Sequence, residues 1–124
     1  MTKIMIVDDD IDTTNILESI LEFEGYEPTS VNDSTLAVQE AILLQPDLFL
    51  LDLMMPEIDG FKLCRMLRAN PAFAYTPIII VTALADEDSR IVAYGAGANG
   101  YVTKPYLPQE LILKIKDLIP LMQQ

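Results

Sequence analysis

The run Leu48-Phe49-Leu50-Leu51-Asp52-Leu53 decides the fold. It lacks the polar alternation of a half-exposed strand. Such a run suits a strand buried on both faces, and these belong to parallel sheets sandwiched between helices. Asp52 alone breaks the run. A lone carboxylate there is costly to bury unless it is paired or bound to a cation. The residue that interrupts the pattern is therefore the first candidate for chemistry.

Working outward, Ile78 to Val81 is a second buried run, ending at Thr82. Lys3 to Val7 and Gly100 to Thr103 are shorter ones. Tyr26 to Val31 is weaker, and Pro28 within it predicts an edge strand. Amphipathic stretches lie between. Asp12 to Gly25 carries Ile16, Leu17, Ile20, Leu21 and Phe23 at mostly helical spacing, with Gly25 as its stop. Asn32 and Asp33 read as caps of a helix running to about Gln45, which Pro46 ends. Met54 to Ile58 reads as a loop. Asp59 caps a third helix through Asn70, with Gly60, Leu63, Cys64 and Leu67 on one face. Pro71 and Pro77 bracket a loop. Asp86 to Ala96 reads as a helix whose first turn is acidic, which suits the macrodipole, and Gly97 follows it. Pro108 fits the first position of a last helix toward Ile119, while Leu107 before it offers no capping side chain.

Strands alternating with helices predict one α/β domain over 1–124, a parallel sheet covered on both faces. Ligands of such sheets gather beyond the carboxyl ends of the strands. The residues expected there are Asp8, Asp9 and Asp10, then Asp52, Thr82, Lys104 and Pro105.

Composition narrows the function classes. The net charge of -11 disfavours direct binding to nucleic acid or anionic lipid. One cysteine, Cys64, allows no internal disulfide and fits a cytoplasmic setting, with a buried helix position its simplest role. No signal peptide is visible, and the apolar runs are too short to span a bilayer. The chain has no histidine, which excludes His-based metal sites, Ser-His and Cys-His triads, and an internal phosphohistidine.

Taken singly, the rim residues are ordinary. Asp8 to Asp10 could be a polar turn, Thr82 a strand end and Lys104 a loop lysine. Together they are specific. Carboxylates gathered at one rim repel, and a bound Mg²⁺ would relieve them, since that ion takes one or two carboxylates together with phosphate oxygens. Asp52 would then be an ionised nucleophile able to form an acyl phosphate, with Lys104 and Thr82 on the phosphoryl oxygens.

These residues carry a family resemblance. Ile4-Met5-Ile6-Val7-Asp8-Asp9-Asp10, Asp52-Leu53-Met54-Met55-Pro56 with Asp59-Gly60, Thr82-Ala83, Gly97-Ala98 to Gly100-Tyr101, and Lys104-Pro105-Tyr106 together resemble the response-regulator receiver domain. The resemblance implies a flavodoxin-like (βα)5 fold with strand order 2-1-3-4-5. It implies Asp52 as phosphoacceptor. It implies Mg²⁺ (or Mn²⁺) held by Asp9, Asp52 and the main-chain carbonyl of Met54, with Asp8 acting through a metal-bound water. Thr82 and Tyr101 would be the switch pair, Lys104 the phosphoryl contact, and Lys104-Pro105 a cis peptide. The donor would be a histidine kinase or histidine phosphotransfer protein. A homodimer through the fourth helix, fifth strand and fifth helix is compatible with the family, and the output partner stays open. Tyr106 stands where the family most often has Phe. Met54 and Leu84 occupy positions that tune water access to the acyl phosphate, and two apolar groups there predict slow hydrolysis. Two rival readings remain at this stage: an interaction module of the same fold that signals without phosphorylation, and an aspartate-nucleophile phosphatase using the Asp8-Asp10 spacing.

Overall fold

A computed structural model describes residues 1–119; the last five positions of the expected domain lie outside the described residues. In chain order the elements are β1 (Lys3–Val7), α1 (Ile11–Phe23), β2 (Glu27–Val31), α2 (Ala37–Leu44), β3 (Leu48–Leu51), α3 (Gly60–Ala69), β4 (Ile78–Thr82), α4 (Glu87–Gly95), β5 (Gly100–Thr103) and α5 (Pro108–Leu118). All strand pairs are parallel, in the order β2-β1-β3-β4-β5. This is the doubly wound α/β architecture that the alternation predicts.

Each face of the sheet has its own core. Met5, Val7, Phe49, Leu51, Ile78 and Ile80 pack with Ala41 of α2, Leu63, Cys64 and Leu67 of α3, and Ala93 of α4. The intervening residues Ile4, Ile6, Leu48, Leu50, Ile79 and Val81 pack with Leu17 and Leu21 of α1 and Leu111 and Ile115 of α5. Helices on both sides leave no solvent face, which is why these strands show no alternation. Burying each Leu or Ile stabilises by roughly 1.5–3 kcal/mol before entropy is counted. Among the described residues no helix is long and apolar enough to cross a membrane.

Several boundaries differ from the sequence reading. Leu53 is buried, but β3 ends at Leu51, because apolarity marks burial and not ladder pairing. Asp10 caps α1 by accepting from the Asp12 amide. The second helix opens as a 3₁₀ turn over Ser34–Leu36, capped by Asp33 alone. Asn32 is not a cap; its amide is used elsewhere. The loop after α3 holds a 3₁₀ turn, Pro71–Phe73, whose Phe73 ring meets Phe49 edge-on at 5.4 Å. Leu107 has no capping side chain, as expected, and Glu110 reaches back to accept from its amide.

Candidate functional site

The register places the rim. Val7 pairs with Leu51, Leu51 with Ile80, and Thr82 with Thr103. Asp8 and Asp52 each follow one of these residues, so they leave neighbouring strands at the same level. The Asp52 amide still donates to the Val7 carbonyl at 3.0 Å. Lys104 follows Thr103, and its amide donates to the Thr82 carbonyl at 2.8 Å. Strand ends far apart in sequence thus meet at one edge.

Asp8 is buried, with Oδ1 accepting from the Asp10 amide at 3.0 Å and Oδ2 lying 2.8 Å from Lys104 Nζ. Asp52 Oδ1 accepts from the Leu53 amide at 2.7 Å and, more weakly, from that of Met54 at 3.3 Å. Asp52 Oδ2 lies 3.5 Å from Lys104 Nζ. The two Asp52 oxygens are therefore unlike: one is held by main chain, the other faces the ammonium. Asp9 is exposed. One carboxylate oxygen from each of Asp8, Asp9 and Asp52 lies within 4.8 Å of the others.

Burial pushes the Asp8 carboxyl above its ordinary value, against the hydrogen bonds from Lys104 and the Asp10 amide. Burial alone would lower Lys104. The hydrogen bond to Asp8 and the charges of Asp52 and Asp8 outweigh it and hold the ammonium above its usual range. Lys104 is thus a fixed cation. Asp8 and Asp52 both face this one ammonium, and Asp9 brings a third carboxylate to the same cluster, so carboxylates outnumber the cation. Its donors are all hard oxygens, with Asp9 open to solvent, which fits a divalent ion of the magnesium type.

Thr82 is fully buried, and its Oγ1 accepts from the Leu84 amide at 3.4 Å. Tyr101 lies inward and buried, its hydroxyl donating to the Leu84 carbonyl at 2.7 Å. Burial, then the charge of Asp86, raises its phenol above the ordinary value. The Lys104-Pro105 peptide is cis. Burial, then the charge of Asp8, pushes the Tyr106 phenol up to about 12. The Met54 side chain is exposed and that of Leu84 half-buried.

Sequence reasoning named Gly60 without the reason for it, and missed Arg90. A Cβ at Gly60 would stand 2.1 Å from the Asp52 carbonyl oxygen, so α3 begins against the main chain of Asp52 and only glycine fits. A glycine at a helix start, where many residues would serve better, was the available signal. Arg90 lies over the Tyr101 ring, its guanidinium carbon 4.7 Å from the centroid. Nothing in the sequence pointed to that contact.

Comparison with known proteins bears on this arrangement. A model of the response regulator receiver domain matches residues 4–116. The DNA-binding dual master transcriptional regulator RpaA of Synechocystis is 35% identical over 119 residues, covering 96% of this chain and 49% of its own length. The transcriptional regulatory protein ResD of Bacillus subtilis is 38% identical over 118 residues, covering 95% of this chain and 48% of its own length. The chain thus spans about half the length of these relatives. Among solved structures, a two-component response regulator from Clostridium difficile superposes with a TM-score of 0.92 at 27% identity, over 100% of both chains. The BeF3-activated N-terminal receiver domain of Klebsiella pneumoniae RstA gives 0.90 at 28% identity, over 95% of this chain and 98% of that one. Strand order, rim and relatives agree, and the chain belongs to the response regulator receiver domain family of two-component signalling.

Proposed function

We propose that this receiver accepts one phosphoryl group on Asp52 and uses it as a conformational switch. The observation that carries the reading is the asymmetry of Asp52. Oδ1 is held by two main-chain N–H groups, and Oδ2 faces Lys104 Nζ at 3.5 Å. An Asp52 oxygen forms a P–O bond as the P–N bond of a phosphohistidine donor breaks. These 124 residues hold no histidine, so the donor group lies outside them, on a histidine kinase or a histidine phosphotransfer protein met in the cytoplasm. Asp8, Asp9, Asp52 and the Met54 carbonyl would hold Mg²⁺ or Mn²⁺. When bound, that ion supplies positive charge against the phosphoryl oxygens. Lys104 supplies the same from the protein's side.

The phosphoryl group adds negative charge and acceptor oxygens beside Thr82 and Lys104. Hydrogen bonding to the Thr82 hydroxyl would pull on the segment through Leu84, which also anchors the Tyr101 hydroxyl. Two conformers of α4 and its loop would be rebalanced in this way, and a partner or output domain would read the difference. The reaction is stoichiometric, so the chain is a switch and not a turnover enzyme.

Labelling with a small-molecule phosphodonor tests this. With Mg²⁺ the wild-type chain should take up one equivalent and release it slowly, and polar substitution at Met54 or Leu84 should speed release. Asp52→Asn should take up none. One equivalent on Asp52→Asn would show that the acceptor is elsewhere. Fast release unaffected at Met54 and Leu84 would remove the slow-hydrolysis part of the reading.

A further inference from the structure

The segment between β2 and α2 gives no carboxylate to the rim cluster, yet two of its side chains reach the loops that do. Asn32 Nδ2 donates to the Asp8 carbonyl at 2.9 Å and to Thr14 Oγ1 at 3.1 Å. Thr14 is itself buried and donates to the Ile11 carbonyl at 3.0 Å. Asn32 therefore ties β2 to both the Asp8 main chain and the first turn of α1. Two residues on, the buried Ser34 donates from Oγ to the Pro56 carbonyl at 3.1 Å, in the loop that follows Asp52.

We propose that Asn32 and Ser34 are positioning residues that hold the two acid-bearing loops at the spacing a divalent cation needs. The inference rests on the metal site proposed above. Ladder pairing between β1 and β3 ends at Val7 and Leu51, one residue short of Asp8 and Asp52. The Asp52 and Asp8 amides are still held, by the Val7 and Val31 carbonyls, but the ladder carries no residue beyond them, and there the loops bear carboxylates that repel one another. A strut from β2 to each loop opposes this before any ion arrives. Magnesium tolerates little departure from octahedral geometry, so affinity should respond to small changes in loop spacing. Groups that orient a ligand from behind typically govern affinity about 10–100-fold.

Calorimetric titration of Mg²⁺ into the intact chain tests the strut. Asn32→Ala and Ser34→Ala should each weaken binding about 10-fold, and the double variant more. Thr35→Ala is the control on the same segment, because Thr35 Oγ1 donates only locally, to Asp33. It should leave affinity unchanged. Ser34→Thr, which keeps the hydroxyl, should restore most of what Ser34→Ala loses. A purely structural role predicts something else: lower unfolding midpoints in the metal-free chain with unaltered Mg²⁺ affinity. That result would overturn the proposal and leave the metal reading standing. If Ser34→Ala fails to fold, Asn32→Ala decides alone, since Asn32 lies at the surface. Absence of saturable Mg²⁺ binding by the wild-type chain would overturn the metal reading and this inference with it.

Discussion

At the carboxyl ends of the strands, three carboxylates cluster together, two of them against the ammonium of Lys104. At the amino ends, the guanidinium of Arg68 is covered by oxygens that carry no formal charge. Its Nη1 donates to the carbonyls of Phe73 at 2.8 Å and Thr76 at 2.6 Å. Its Nε donates to Gly97 at 3.0 Å, and Nη2 to Asn99 Oδ1 at 2.7 Å. Asn99 Oδ1 also accepts from the Ile78 amide, so the network closes on the start of β4. Gly97, with φ +113, belongs to it, because a Cβ there would meet Arg68 Cγ at 2.7 Å. One rim spends its polar groups on each other and locks the fold. The other leaves like charges close together. Structure and function are separated along the strand axis, and substitutions at the two ends should behave differently.

Arg68→Ala should have the largest effect. It strands the carbonyl oxygens of Phe73, Thr76 and Gly97 together and leaves Asn99 Oδ1 with the Ile78 amide alone. Loss of stability of about 3 kcal/mol is expected, read as a lower urea midpoint with an unchanged slope. Where the variant remains folded, Mg²⁺ affinity should match wild type. A loss of affinity along with stability would mean that the two ends are coupled, and the separation proposed here would be wrong.

At the opposite rim the sign should reverse. Asp9→Asn removes one carboxylate from a cluster with too many. In metal-free, low-salt buffer it should raise stability by about 0.5 kcal/mol, a modest figure because Asp9 is exposed and screened. Saturating Mg²⁺ should invert the order. At a hundredfold excess over its dissociation constant the ion stabilises wild type by about 2.7 kcal/mol, and the variant by less. Paired thermal scans with and without the ion read both halves. A metal-free loss of stability would show that Asp9 has a structural partner and that the rim is less frustrated than its geometry indicates.

How legible each end was follows from the same division. Asp8, Asp9, Asp52, Thr82 and Lys104 stood out because each breaks or ends an apolar run, and five parallel strands bring run ends to one edge. The apolar runs themselves were legible because both faces of the sheet are covered. The roles of Arg68, Asn32 and Gly60 were not. Arg68 and Asn32 are partnered mainly by main-chain carbonyls of remote segments, and Gly60 is required by one. A carbonyl has no identity in a sequence, so a side chain that binds one leaves no pattern. Asn32 shows this best: an Asn before Asp33 reads as a helix cap, and only the position of the Asp8 carbonyl turns it outward from that role.

The smallest effect concerns an acid near the functional rim that is resolved locally. Asp86 follows the Thr82 loop and caps α4, accepting from the Ser89 amide at 3.0 Å and the Ser89 hydroxyl at 2.9 Å. These bonds hold its carboxyl below the ordinary 3.8. The sign of the linkage follows from that depression. The charged form binds the helix end better than the neutral form, so the stabilisation is fully present above the unfolded-state value and is lost as pH falls through the lower folded-state value. Asp86→Ala should therefore be less stable than wild type near neutrality, and the gap should narrow only once the solution is more acidic than an ordinary carboxylate. Amide exchange in the first turn of α4 would report it directly. A gap that stays constant through that acid range would mean that the Asp86 charge is not what caps the helix. Asp86 would then belong with the unresolved acids of the rim, and the proximity of a negative group to the Thr82 loop would need another explanation.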